Sequence, residues 1–245
     1  MSSATYKAAF ETELSHDYRG KHALLLISVG QDYHEGGKFE ATIDLVNRQG
    51  FASCTIAVAD ILQRHNLSSY SYEEVYKVSA ASGEQWLARN QGAINRLATV
   101  TRILRWEECL LDPGYRPLLD RVQFEYENNR DYRAEVNGTI GLFLDRLHKR
   151  DPEADLEEAR FRCLNYLIEE CPIIMPLWAS QGIDFVVYPQ PMTRAMAATR
   201  QLFVEPHHPA HGHWLSLKFK KRAAVVDQPV PAVGRPIWAT AAFAI

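Results

Sequence analysis

The chain has 245 residues, 47% of them hydrophobic and 23% charged, enough to bury one large α/β core or two small ones. Its net charge of −3 draws it to no polyanion as a whole, so any nucleic acid must be met by a local basic patch. The longest apolar runs, residues 23–27 and 183–188, are too short to cross a bilayer, and the first residues hold no apolar signal segment; the expectation is no membrane, and cytoplasm by default. The four cysteines (54, 109, 163 and 171) show neither C-x-x-C nor zinc spacing and read as small apolar residues of a reducing compartment.

In chain order, His22–Ser28 (HALLLIS) reads as a buried parallel strand. Residues 31–37 read as a loop. Residues 38–48 have helical spacing at Phe39, Ile43 and Val46, with Gly50 as the C-cap. Residues 52–59 form a second apolar run, and the whole is a βαβ unit. Residues 83–106 read as helix, as do 116–128 and 131–149. Asp151-Pro152 reads as the start of a helix carrying residues 154–170. A short buried strand over 183–188, a short helix over 192–199 and a late or edge strand over 214–219 follow. After Val225 the chain is rich in Pro, Ala and Val and reads as a loosely held tail. One domain over residues 1–245 is expected, with its core at about 20–222.

Ser28 closes the first strand ahead of a turn and a helix, the place where open α/β sheets bind ligands. No G-x-S-x-G surrounds it, and neither G-x-G-x-x-G nor G-x-x-x-x-G-K-[ST] is present. Tyr166 and Glu170 lie four apart, on one face of a helix. A carboxylate beside a phenol suits a small cation such as an α-ammonium group. Pro172 then stops a regular helix, because the residue before proline is pushed out of the α region. Tyr188-Pro189 ends a later strand, on the same sheet edge as Ser28 if the sheet is parallel.

The run from His22 to Ser28, the pattern Tyr166-x-x-x-Glu170-x-Pro172 and the strand ending in Tyr188 together resemble the tRNA-dependent cyclodipeptide synthases. Residues 59–67 also resemble the segment after that family's second strand. The resemblance spans about residues 20–222. Two positions depart from the family pattern: Leu26 stands where a glycine is usual, and Gln31 where one branch has asparagine. Tyr188-Pro189 resembles the other branch, which lacks that asparagine.

The resemblance implies a Rossmann-like parallel sheet flanked by helices, similar to the catalytic domain of class I aminoacyl-tRNA synthetases. It implies two aminoacyl-tRNAs as substrates, a monomer, and no cofactor or metal, since every acyl donor is already an activated ester. Ser28 would carry aminoacyl and dipeptidyl esters in turn and release a 2,5-diketopiperazine. Glu170 and Tyr166 would hold the α-ammonium, and Tyr188 would relay a proton. From strand–loop–helix geometry, the backbone amides of residues 29–31 are expected to face the oxyanion. Leu24, Leu26 and Ile173 are candidates to line the first side-chain pocket, Val186 the second, and Gln31 to replace the asparagine contact. Candidate tRNA contacts are Arg89, Arg96, Arg102 and Arg105, read as helical, and Lys218, Lys220, Lys221 and Arg222. The departures at Leu26 and Gln31 also fit a catalytically lapsed binder of charged tRNA or a small ligand. His207, His208, His211 and His213 sit in a proline-containing loop, where exposure outweighs a metal reading. The chain has no K-M-S-K-S, which argues against an ATP-using synthetase.

Overall fold

A computed structural model describes residues 6–11, 17–67 and 71–221. The elements are β1 (Tyr6–Phe10), β2 (His22–Ser28), α1 (Gly36–Gln49), β3 (Ser53–Ala59), α2 (Tyr72–Ile94), β4 (Val100–Arg105), α3 (Trp106–Leu110), α4 (Tyr115–Asn128), α5 (Arg130–Arg150), α6 (Leu156–Pro172), α7 (Trp178–Ser180), β5 (Phe185–Tyr188), α8 (Arg194–Thr199) and β6 (His213–Lys221). One sheet runs β1-β6-β5-β2-β3-β4. Every pairing is parallel except that of β1, which closes the edge antiparallel to β6. From β2 the chain winds outward to β3 and β4, then returns to β5 on the other side of β2. The winding direction therefore reverses between β2 and β5, and a crevice opens at their carboxyl ends, with Ser28 on one lip and Tyr188 on the other.

Alternation along the strands builds two cores. Ala23, Leu25, Ile27, Phe185, Val187 and Leu215 face α1, with Trp86 of α2 among their neighbours. Leu24, Leu26, Val186, Ala57 and Leu104 face the other way, onto Ile173, Met175, Leu177 and Trp178. A third cluster, including Val122, Tyr132, Ile140, Leu167 and Cys171, joins α4, α5, α6 and α8 into a helical layer outside that second face. Burial on both sides explains why β2, β3 and β5 read as unbroken apolar runs. Gly50 caps α1 in the left-handed conformation (φ 74°), as its position suggests. Gly83 lets α2 approach Asp60, whose carboxylate would lie 2.5 Å from any added Cβ.

The described fold departs from the sequence reading at several elements. Residues 83–106 are not one helix: α2 ends at Ile94, and Val100–Arg105 is strand β4. Arg102 and Arg105 therefore sit on a strand and Arg96 in the turn just past α2, not on the helix that carries Arg89. The helix after Asp151 begins only at Leu156, because Asp155 is its N-cap and accepts from the amides of Glu157 and Glu158. The regular helix ends at Pro172, as its position suggests, but the chain does not turn away. The chain runs on through a π-helical turn, Ile173–Leu177, into α7. Pro172 and Pro176 have no N–H to give, and the wider turn accommodates both rings. β6 is not the edge strand; β1 covers it, an element the sequence reading lacks. Arg222 and the tail after Val225 lie outside the described residues.

Candidate active site

Ser28 ends β2 with 8% of its surface exposed. Its Oγ lies 3.0 Å from the Tyr188 hydroxyl at the end of β5, and that hydroxyl lies 2.9 Å from the hydroxyl of Tyr33. Three hydroxyls thus form one chain across the crevice. Tyr33 belongs to a single 3-10 turn, Asp32–His34, between β2 and α1. Burial of Tyr188 raises its phenol pKa, and the Ser28 and Tyr33 hydroxyls oppose that rise. The amide of Gln31 donates to the Ser28 carbonyl (3.3 Å). It is therefore not free to face an oxyanion, contrary to the sequence expectation for residues 29–31.

α6 delivers Tyr166 and Glu170 to the same crevice. Both line a cavity of about 470 Å³, together with Leu26, Tyr188, Phe143, Met196 and Trp214. Glu170 is 5% exposed. Burial, helped by the charge of Glu169, pushes its pKa up to about 8, with the Tyr166 hydroxyl pulling the other way. Burial and the Glu170 carboxylate raise Tyr166 well above an ordinary phenol. No ion pair among the described residues neutralises this carboxyl, although Arg146 and Arg194 line the same cavity, so an ammonium entering it would supply a countercharge.

The preceding residue does the opposite. Arg64 grips both oxygens of Glu169, one at 2.8 Å. His65 Nε2 lies 3.2 Å away, and Trp106 Nε1 donates at 3.0 Å. Burial works to raise the Glu169 pKa, but His65 and Arg64 outweigh it and hold the carboxyl below its usual value. This group fastens α6 to the 3-10 segment Ile61–Asn66 and to α3. Asp60 fastens the neighbouring strand end in the same way: its carboxylate takes the Arg105 guanidinium and the Ile61 amide (2.8 Å).

The chain superposes on the structure of a CDPS (cyclodipeptide synthase) from Fluoribacter dumoffii with a TM-score of 0.84 and 38% identity, over 90% of this chain and 100% of that one. The chain belongs to the cyclodipeptide synthase family. It is thereby an aminoacyltransferase-class enzyme of a family that draws on aminoacyl-tRNAs. A cyclodipeptide synthase from Candidatus Glomeribacter gigasporarum, solved with bound Phe-tRNAPhe, matches at 20% identity and TM-score 0.66, over 90% of this chain and 93% of that one. A Mycobacterium tuberculosis protein, whose structure relates cyclodipeptide synthetases to type I tRNA synthetases, matches at 15% identity and TM-score 0.63, over 91% and 96%. No family model and no curated protein matches the chain.

Of the side chains singled out from sequence, Ser28, Tyr166, Glu170, Tyr188 and Leu26 of this cyclodipeptide synthase gather at one crevice. Leu24, Ile173 and Val186 are fully buried beneath it, in the core on the same sheet face, and do not line the cavity. Gln31 is exposed on the loop. The arginines are engaged with acids: Arg89 with Glu35 (2.9 Å), Arg96 with Glu40 (3.8 Å), Arg102 with Glu108 (3.4 Å) and Arg105 with Asp60. Lys218, Lys220 and Lys221 stand on β6, and no ion pair with a described residue is found for them. His211 contacts Asp184 (3.2 Å), and among the described residues no cluster of acids, histidines or cysteines is arranged to hold a metal. No described helix is long and apolar enough to cross a membrane. Sequence reasoning missed Tyr33, and it missed Thr139, Phe143 and Arg146 of α5, which line the cavity at i, i+4 and i+7. That spacing was the available signal.

Proposed function

We propose that this enzyme joins two aminoacyl groups, each delivered as an aminoacyl-tRNA ester, into a cyclodipeptide by way of esters on Ser28. The reading rests above all on one observation: the Ser28 and Tyr188 hydroxyls meet 3.0 Å apart at the lip of the cavity that Glu170 lines.

In the first step Ser28 Oγ bonds to the ester carbonyl carbon and the bond to the ribose oxygen breaks. The serine proton passes to Tyr188 as Tyr188 gives its own to the departing ribose hydroxyl. An ester needs less nucleophile activation than an amide, so no histidine base is required. Glu170 and Tyr166 hold the α-ammonium of the bound aminoacyl group by charge-assisted hydrogen bonds. Glu170 then takes a proton from it, the free amine bonds to the ester carbonyl carbon of the second aminoacyl-tRNA, and that carbon's bond to the ribose oxygen breaks as a further amine proton passes to the departing ribose hydroxyl. Attack in this direction leaves the dipeptide on Ser28, whereas the reverse would leave it on tRNA. The terminal amine finally closes onto the serine ester, releasing the ring and regenerating the hydroxyl with a proton returned through Tyr188. Val29 and Gly30 are the remaining backbone candidates for the oxyanion. Leu26 narrows the first side-chain pocket, with Leu24, Ile173 and Val186 shaping the pockets from behind. With Tyr188-Pro189 and Gln31, the enzyme falls in the branch that lacks the asparagine, and it works as a cytoplasmic monomer.

The β1–β6 ribbon is the better candidate for tRNA. Trp214 pairs with Val186 and lines the cavity, so Ser216, Lys218 and Lys220 follow on the cavity's face of the sheet. Lys220 lies directly opposite Lys7 of β1. Like charges facing across a ladder are destabilising, and a phosphate backbone relieves that repulsion.

The test is mass spectrometry of the medium from a bacterium expressing the chain, beside a Ser28→Ala control. A new cyclodipeptide mass that the control lacks supports the reading and names both amino acids. Product retained by Ser28→Ala sinks it. Soluble protein that binds charged tRNA without product returns the lapsed-binder reading.

A further inference from the structure

We infer that Tyr33 is a positioning residue: by donating its hydroxyl hydrogen to Tyr188, it fixes the direction in which Tyr188 moves the Ser28 proton. The inference rests on the Ser28 reading above and adds a residue that no motif supplied.

A phenol oxygen has one proton to give and two lone pairs to receive. Tyr188 Oη has two hydroxyl neighbours, Ser28 at 3.0 Å and Tyr33 at 2.9 Å. With Tyr33 donating, one lone pair is filled. The other faces Ser28 and accepts its proton, and Tyr188's own proton turns toward the cavity. This assignment lets Tyr188 take the serine proton while giving its own to the leaving ribose oxygen, so the step balances without an external base. Without Tyr33, Tyr188 is free to donate to Ser28 Oγ, which occupies the nucleophile's lone pair.

The loop is built to hold this geometry. The His34 carbonyl accepts from Trp86 Nε1 (2.9 Å), and Trp86 is fully buried. The His34 ring is buried, with its centroid 4.7 Å from the Tyr33 ring and 5.5 Å from the Tyr188 ring. The two tyrosine rings meet edge to face at 5.9 Å. Asp32 is tied to Lys38 on α1 (2.8 Å). Burial and the neighbouring Tyr188 also raise the Tyr33 pKa far above an ordinary phenol, which keeps its proton in place as a donor. Burial lowers His34 to about 3, Asp32 opposing weakly, so the imidazole beside the pair stays neutral.

The experiment is a double-mutant cycle on the full chain, with charged tRNA as substrate: wild type, Tyr33→Phe, Tyr188→Phe and both together. Tyr33→Phe is expected to lower kcat about tenfold, with KM and melting temperature unchanged. In the Tyr188→Phe background it should add nothing, because its action passes through Tyr188. Wild-type turnover in Tyr33→Phe, an effect on KM alone, or an equal loss in both backgrounds overturns the inference. If Tyr33→Phe fails to fold, 3,5-difluorotyrosine at position 33 keeps ring and hydroxyl while making the phenol more acidic. kcat should then change at unchanged KM in the wild-type background but not in the Tyr188→Phe background, and an unchanged kcat overturns the inference. A wild-type protein that makes no cyclodipeptide defeats the Ser28 reading; an active one indifferent to Tyr33 defeats this inference alone.

Discussion

Glu169 and Glu170 are consecutive, on one turn of one helix, and both are buried, yet the fold treats them in opposite ways. Glu169 meets Arg64, His65 and Trp106 and stays ionised. Glu170 meets Tyr166 and the apolar wall of the cavity, and its pKa rises to about 8. Adjacent helix positions differ by about 100° in direction, so one carboxylate is turned into a structural clamp and the other toward the cavity. Burial alone does not mark a functional acid; the absence of a countercharge does.

The largest break in this contrast is Glu170→Gln. If the carboxylate holds the ammonium and accepts its proton, as proposed, its loss should cut cyclodipeptide formation by about 100-fold or more. Stability should move the other way. A carboxyl whose folded pKa is raised binds its proton more tightly when folded, so its contribution is present below the unfolded value near 4.5 and is lost as pH rises through about 8. Wild type should therefore lose up to roughly 5 kcal/mol between pH 4.5 and 8 from this group, and Glu170→Gln should flatten that slope. Thermal melts at pH 5.5 and 8.5 read the difference. Equal slopes in both proteins would show that Glu170 ionises normally.

Glu169→Gln tests the other half. Removing one partner of a buried pair leaves the Arg64 charge uncompensated and should cost about 3–5 kcal/mol, a fall in melting temperature of roughly 10 °C. The folded fraction should keep kcat within about threefold, because Glu169 does not line the cavity. The sign of its pH dependence is reversed: the lowered pKa gives stability that is present above the unfolded value and lost as pH falls below it. A large loss of kcat with unchanged melting would move Glu169 from clamp to chemistry.

Sequence exposed one glutamate and hid the other for a physical reason. Glu170 belongs to a local pattern with Tyr166, four residues away, and such spacing survives in one dimension. Glu169 depends on Arg64, 105 positions distant, and nothing local announces that pairing. The strands followed the same rule. β2 and β3, buried on both faces, announce themselves as apolar runs. β4 lies at a sheet edge and flanks Ile103 and Leu104 with Arg102 and Arg105, a spacing that also suits a helix, so its pattern merges with the helix before it. Tyr33 was lost because residues 31–37 are polar and glycine-containing and read only as a loop, the part of a chain whose partners sequence reveals least.

The basic side chains repeat the contrast between groups that are occupied and groups that are open. Arg89, Arg96 and Arg102 spend their charge on nearby glutamates in exposed pairs, each contributing at most about 1 kcal/mol. Lys7, Lys218 and Lys220 share one face of the β1–β6 ribbon beside the cavity. Each ribbon lysine that meets a phosphate releases counterions on binding, so Lys218→Ala and Lys220→Ala should each lower the slope of log K against log salt for charged tRNA by about 0.7–0.9. Their effect should fall on KM, with kcat at saturating tRNA and melting temperature little changed. Arg89→Ala and Arg96→Ala should leave both slope and KM near wild type, because freeing Glu35 or Glu40 costs the site no open cation. The reverse pattern, with the arginines setting the slope and the lysines silent, would move the tRNA path from the ribbon to α2 and the turn that follows it, and show that those surface pairs open when the polyanion arrives.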